Sequence, residues 1–443
     1  PTVQATRDGT GFCRFALITF VRMDAAATDR VQPLVENLFR RESGRLTASL
    51  ARFFGSKHLE LAEDVVQETL IKAMHEWPFK GIPDDPVAWL NRVARNGVID
   101  RLRRDARGLE LMKENAALLR SEWTLSSTVN EALDPHMIAD DQLRMMFACC
   151  HPSLPEEQQV ALALKTLCGF SVPEIARAFV TNEENINKRL YRARGAFRGL
   201  GKLEIPEGGA LNERLGQVLS VIYLLFNEGY NATSHDELIR EDLIEEALRL
   251  CDLLTQNPAT DTPEVHALLA LMIFHAARSG SRMDGQGSIV RLQDQDRSQW
   301  KRALSALAND HLAIASTGDR FTTYHIEAAI ASLHANSADY MNTDWAAIIS
   351  LYDERMRLRP SPIVALNRAI AVAQLEGPER GLQELERVEG LSGSYLFHAA
   401  RGELLARSSR DQEARVAFND ALQLASSPAE RELLARKLAA IEC

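Results

Sequence analysis

Cysteine is scarce in this chain and carries no pattern: Cys13, Cys149, Cys150, Cys168, Cys251 and Cys443 form no C-x-x-C pair and no zinc-knuckle spacing. Neither a disulfide framework nor a structural zinc site is indicated, and a reducing, cytoplasmic setting is expected. His151 follows Cys149 and Cys150, but adjacent cysteines do not readily chelate one tetrahedral ion, so no metal is assigned there. The eleven histidines contain no H-E-x-x-H, and no P-loop occurs. No catalytic residue and no cofactor follow, and the chain reads as a non-enzyme. Long apolar runs are missing as well. Residues 12–20 are interrupted by Arg14 and followed by Arg22 and Asp24, too short a stretch to span a bilayer, so neither export nor membrane insertion is expected.

Strand-like alternation is also rare, whereas apolar residues recur at helical spacing along the chain, with glycine and proline mainly between the periodic stretches. The fold class is therefore all-α. With 443 residues, 46 % apolar and 25 % charged, the chain can bury two or three cores. The formal net charge is -10, yet residues 1–209 hold 28 basic and 28 acidic side chains while residues 210–443 hold 23 and 33. All of the acidic excess lies in the second half. Basic faces in the first half can still meet a polyanion, because charges are felt within a Debye length of roughly 10 Å.

Leu46, Leu50, Phe53 and Phe54, then Leu61, Val65, Val66, Leu70, Ala73 and Met74, read as two amphipathic helices around a turn at 55–57. Pro78, Gly81, Pro83 and Pro86 predict a loop over the whole of 77–86. Helical spacing resumes from Val87 to about Arg107, with Trp89, Leu90, Val93, Ala94, Val98, Ile99 and Leu102 as its stripe. Residues 108–142 are weakly patterned and read as a linker, and a second compact unit spans 143–203. After the break at 206–209, helices continue for long enough to close a core of their own. In the last part, Trp345, Leu351, Tyr352 and Pro360, then Ala414, Phe418 and Ala421, show the small-large alternation of tetratricopeptide-like hairpins.

The clearest local signal lies at 170–190. Ser171 can cap a helix with Pro173 in its first turn and Glu174 closing a capping box, while Ile175, Ala176, Phe179, Ile186 and Leu190 fix a helix crossing. This is a helix-turn-helix pattern, whose second helix enters a major groove. Val180 stands where the turn often has glycine, so the turn must avoid φ > 0 or accept strain. Lys188, Arg189, Arg192, Arg194, Arg198 and Lys202 follow with no acid between them, which suits phosphates.

A second basic surface holds Arg92, Arg95, Arg101, Arg103, Arg104 and Arg107. Trp77, Phe79 and Trp89 nearby either stack on an unpaired base or fill the core, with core packing favoured for Trp89. The acidic stretch 60–68 reads equally as a docking surface or a solvated helix face. The network of Arg278, Arg282, Arg291, Asp294, Gln295, Asp296, Arg297 and Trp300 reads as a structural lock in preference to a ligand site. Asn227-Glu228-Gly229-Tyr230 reads as a helix end with a glycine turn.

Taken in order, residues 61–70, 86–96 and 100–104 resemble the second conserved region of bacterial RNA polymerase sigma factors of the extracytoplasmic-function (ECF) type, in the sigma-70 family. Residues 152–200 resemble their fourth region. Residues 224–230 and 292–300 resemble the subgroup with a C-terminal helical, tetratricopeptide-like extension. The resemblance implies region 2 at 38–107, a linker at 108–142, region 4 at 143–203, a helical extension at 210–340 and repeats at 341–443, with 1–37 matched poorly.

Carried over by position, Asp64, Gln67 and Glu68 would dock on core polymerase. The segment from Trp77 through Phe79 to Pro86 would capture a flipped base of the -10 element, flanked by Trp89, Asn91, Arg92, Arg95 and Asn96, while Arg101, Arg103 and Arg104 hold phosphates. Asn182, Glu183, Asn185, Asn187, Lys188 and Arg189 would face the -35 duplex, and Arg192 and Arg194 continue that basic helix. Asn227, Glu228, Tyr230, Asp294, Gln295, Asp296, Arg297 and Trp300 would form a regulatory or structural network in the extension. The implied partners are bacterial core RNA polymerase and promoter DNA, with room for a protein or small-molecule regulator at the extension. The implied function is recruitment of core polymerase to promoters and melting of the -10 element, controlled in cis. The alternative is a stand-alone helix-turn-helix regulator with protein-binding repeats, distinguished by tight duplex binding without polymerase.

Overall fold

Leu46, Leu50 and Phe54 follow one another at about one helical turn, and they meet Val65, Val66, Leu70, Ala73 and Trp77 from a second helix and Leu90, Ala94 and Val98 from a third. These helices are α1 (Val31–Phe54), α2 (Leu59–Lys80) and α3 (Pro86–Arg104). The computed structural model describes residues 31–104, 140–200, 209–232, 239–284, 288–425 and 428–441; the first thirty residues and most of the expected linker lie outside the described residues. Among the described residues the chain forms eighteen helices, and the one β pairing is an isolated bridge between Met283 and Ile289.

The expected loop over 77–86 is corrected. α2 continues through Pro78 and Phe79 to Lys80, since a proline in the last turn forfeits one backbone hydrogen bond while the Trp77 ring gains a buried place. Gly81 ends the helix, its amide donating to the Trp77 carbonyl at 3.0 Å. The irregular segment is only 81–85.

The second unit comprises α4 (Asp141–Cys149), α5 (Glu156–Leu167), α6 (Val172–Ala178) and α7 (Glu183–Gly199). It is followed by α8 (Gly209–Tyr230), α9 (Glu241–Thr255), α10 (Pro263–Ala277), α11 (Arg302–Ala315) and α12 (Thr323–Asn336). A separate core after residue 209 was the expectation, and the structure corrects it. Phe147, Leu162, Leu164, Ile186 and Phe197 share one continuous core with Leu215, Val218, Ile222 and Phe226 of α8, Ile244 of α9 and Leu268 of α10. α8 lies on α4 and α5, and Arg214 donates to the Phe147 carbonyl at 3.1 Å.

Ala48 and Ala51 bring α1 to the edge of the same core. At Gly44 the approach is closest: a Cβ there would overlap the carbonyl oxygen of Leu167 at the end of α5. Only glycine lets the two backbones touch.

Six helices complete the chain: α13 (Trp345–Leu358), α14 (Pro362–Glu376), α15 (Pro378–Leu385), α16 (Tyr395–Arg407), α17 (Asp411–Leu424) and α18 (Pro428–Ile441). Consecutive helices pack on one another through Leu366, Ala369, Leu385, Leu404, Ala414 and Phe418. Ile326, Ile330, Ile348 and Ala371 join this end to α12. Among the described residues no helix is long and apolar enough to cross a membrane.

Candidate nucleic-acid interface

The α2–α3 corner presents the first expected surface. Asp85 caps α3 by accepting from the Ala88 amide at 2.9 Å, and Pro86 occupies the first turn. α3 then exposes Arg92 and Asn96 on one side, while Asn91 and Arg95 are half-buried. Asn91 Nδ2 donates to the Val87 carbonyl at 2.9 Å. Trp77 is only 3 % exposed and meets half-buried Trp89 edge to face at 5.4 Å. The stacking role expected for Trp77 is therefore corrected, since its ring supports the corner from inside. The side chains of Phe79, Arg103 and Arg104 lie outside the described residues.

Asp64, Gln67 and Glu68 are exposed along α2. Arg101 of α3 reaches across to them, pairing with Glu68 and standing 3.8 Å from Asp64. The cation expected on phosphate and the carboxylates expected on polymerase are thus neighbours on one surface.

The helix-turn-helix forms as its residues dictate. The Glu174 amide donates to Ser171 Oγ at 3.3 Å and the Ser171 amide to Glu174 Oε2 at 2.6 Å. Asn182 caps α7 through the Asn185 amide at 2.9 Å. Val180 takes φ 51° and is 94 % exposed, so the turn accepts strain. Because that side chain packs on little and a left-handed backbone costs a non-glycine residue about 1–2 kcal/mol, Val180→Gly is expected to raise stability by about 0.5–1 kcal/mol after glycine's own entropic cost. Urea midpoints measure this, and a lowered midpoint would show that the valine is unstrained.

Ile186, Leu190, Ala193 and Phe197 of α7 are buried, and Asn182, Glu183, Asn185, Asn187, Lys188 and Arg192 face solvent. Tyr191, 78 % exposed between Asn187 and Arg192, was not singled out in the sequence; an uncovered aromatic inside a basic helix was the available signal. Two expected phosphate contacts point elsewhere. Arg189 pairs with Glu157 at 2.6 Å beneath the Phe179 ring, and Arg194 pairs with Glu63 of α2 at 2.9 Å.

The Arg194 pair belongs to a set of ties between the two units. Arg198 stands 3.5 Å from Glu60, and Thr166 Oγ1 donates to Glu63 at 2.9 Å. From the extension, Glu246 of α9 binds Arg45 of α1 at 2.7 Å and Arg249 at 2.8 Å, while Arg249 also holds Asp140 at 2.7 Å. Burial pushes the Glu246 carboxyl up, but its bonds to Arg249 and Arg45 outweigh this and hold it below the usual carboxylate range. One helix thereby braces both units.

The residues of the network expected in the extension are drawn into internal contacts. Gly229 admits the chain before α9, since a Cβ there would come within 2.8 Å of the Ile244 amide nitrogen. Tyr230 lies under Arg282 at 3.9 Å, the Asn227 backbone carbonyl accepts from the Asn231 amide at 2.9 Å, and Glu228 is buried. Arg291 pairs with Asp294 and with Glu403 of α16; Gln295 donates to the Val290 carbonyl at 3.0 Å. Asp296 caps the turn leading to buried Trp300, and Arg297 donates to the His334 and Ser337 carbonyls at 2.6 and 2.8 Å. Among the described residues no cluster of His, Cys, Asp and Glu is placed to hold a metal. Burial pushes the Cys150 thiol up to about 12, which leaves it unreactive.

Comparison with known proteins assigns residues 38–108 to "Sigma-70 region 2", 144–197 to "Sigma-70, region 4" and 214–316 to a "Family of unknown function (DUF6596)". An uncharacterized protein, R00370 of Rhizobium meliloti, is 41 % identical over 392 residues, covering 88 % of this chain and 92 % of that protein. The ECF RNA polymerase sigma factor SigL of Mycobacterium tuberculosis is 33 % identical over 138 residues, 31 % of this chain and 72 % of that protein. SigG of the same species is 27 % identical over 222 residues, 47 % of this chain and 59 % of that protein. No solved structure matches. With the helix-turn-helix, the basic α3 corner and both conserved regions in one chain, this protein belongs to the ECF sigma factors of the sigma-70 family.

Proposed function

We propose that this sigma factor recruits core RNA polymerase through the exposed acidic side of α2, places α7 on the duplex upstream element and uses the α2–α3 corner to hold the opened -10 element. The uncovered residues of α7 and α3 support this reading: Asn185, Lys188, Tyr191 and Arg192 form one outward face, and Arg92 and Asn96 another. Removal of a charged hydrogen-bonding group costs about tenfold in an equilibrium. Arg92→Ala is accordingly expected to lower open-complex formation about tenfold, with Arg92→Lys retaining part of it, measured by permanganate footprinting with core polymerase. Failure of the wild-type chain to direct core-dependent initiation at any promoter from a genomic library would overturn the reading. Tight duplex binding without polymerase would favour the stand-alone regulator.

The extension regulates in cis by holding the two units closed. The single observation behind this is that Arg194 of α7 and Glu63 of α2, each beside a contact surface, are spent on one another, with α9 bracing the arrangement through Glu246 and Arg249. Opening must separate these units before α7 and the α3 corner can engage distant parts of a promoter.

A further inference from the structure

α8, α10, α12, α13 and α14, with Arg278, Leu292 and Trp300, line a cavity of about 600 Å³, within the range of small-molecule sites. Its apolar wall is formed by Leu271, Phe274, Ile330, Tyr352, Ile363 and Val364. A smaller cavity of about 270 Å³ shares Leu292, His334, Tyr352 and Asn367 with it and extends the room. The polar lining includes Arg278, His275, His334 and Trp300.

Several of these groups lack what burial normally demands. Trp300 is 7 % exposed, and neither its Nε1 nor His334 Nδ1 has a partner. Arg278 donates to His275 Nδ1 at 3.2 Å and stands 5.5 Å from the Tyr230 ring, and no carboxylate among the described residues pairs with it. The one acid of the lining, Glu327, already accepts from Tyr223 at 2.8 Å and from Arg355 at 3.3 Å. Both histidines are neutral, because burial, with Arg278 adding to it, lowers His275 well below its ordinary value and His334 to about 4. Within the lining, one positive charge, that of Arg278, is left without a carboxylate partner.

We propose that this cavity binds a small organic monocarboxylate with an aromatic or aliphatic body, the carboxylate meeting Arg278. A cation would be repelled by Arg278, and a dianion would leave excess negative charge near Glu327. A neutral ligand of the same shape leaves the arginine unmatched. This deepens the cis-regulation reading by naming its effector and rests on that reading only for its consequence: Tyr223 of α8 and Phe274 of α10 line the cavity, and the same helices build the core shared with α4 to α7.

Isothermal titration of the full-length protein with decanoate and 4-phenylbutyrate, against decanamide and 4-phenylbutyramide, tests the site without reference to transcription. At least one acid should bind saturably and its amide at least about tenfold more weakly. Arg278→Gln should weaken acid binding about tenfold, and Arg278→Lys should retain it. Unfolding midpoints of each variant confirm that it is folded. No binding by either acid, equal binding of acid and amide, or unchanged binding by folded Arg278→Gln would overturn the site. Acid binding that leaves initiation unchanged would retain the site and overturn only its coupling to the closed arrangement.

Discussion

Gly44→Ala is expected to raise core-dependent initiation by the full-length protein about tenfold. The added methyl would overlap the Leu167 carbonyl oxygen, and that neighbour is backbone, so it cannot rotate away. Forced overpacking of this kind costs about 1–3 kcal/mol, and about 1.4 kcal/mol is tenfold in an equilibrium. Within α1 itself the change is favourable, since alanine is the better helix former by about 1 kcal/mol. The substitution therefore penalises the contact between α1 and α5 while strengthening the helix of region 2. Gly216→Ala in α8, where a Cβ meets nothing within 4 Å, is the matched control. Run-off transcription reads the activity and small-angle scattering reads the opening. An opened molecule with unchanged or lower transcription would show that the closed arrangement is not inhibitory.

The parts of this fold written in local spacing were legible from the sequence. Ser171 and Glu174 announce a helix start through a reciprocal pair three residues apart, and Ile186, Leu190 and Phe197 recur on one face of α7. Trp77 was misread because prolines downstream outweighed its own apolar value in a local reading; the core formed with Leu90 and Ala94 tipped the balance toward helix. Val180 shows the reverse case, where the residue type advised against φ > 0 and the crossing of α6 on α7 imposed it.

What the sequence could not show is which charges answer each other. Arg189 and Arg194 belong to the same basic run as Arg192, yet one turns to Glu157 and the other to Glu63. Periodicity places a residue on a helix face and says nothing of what a distant segment brings to that face. Glu246 and Arg45 likewise have no sequence spacing that announces their pair. Gly44 carries no local signature either, because its need for glycine comes from a carbonyl more than a hundred positions away.

Ending the chain at residue 205 is expected to give a protein that does not fold cooperatively and directs no initiation, although both sigma regions would be intact in sequence. Leu215, Val218, Ile222, Phe226, Ile244 and Leu268 would be gone from the core that encloses Phe147, Leu162 and Leu164. Each large apolar side chain returned to water costs about 1.5–3 kcal/mol, so uncovering a handful forfeits on the order of 10 kcal/mol, as much as a whole domain's typical stability of about 5–15 kcal/mol. Buried Arg214, which holds the Phe147 carbonyl, would be lost as well. Circular dichroism melts and transcription assays check the expectation, and residues 206–443 supplied as a second polypeptide should restore both. A truncated chain that melts cooperatively and initiates transcription would show that α4 to α7 close their own core. Loss of activity on truncation alone reports the missing core and not the sign of regulation, which Gly44→Ala reads in a protein whose shared core is whole.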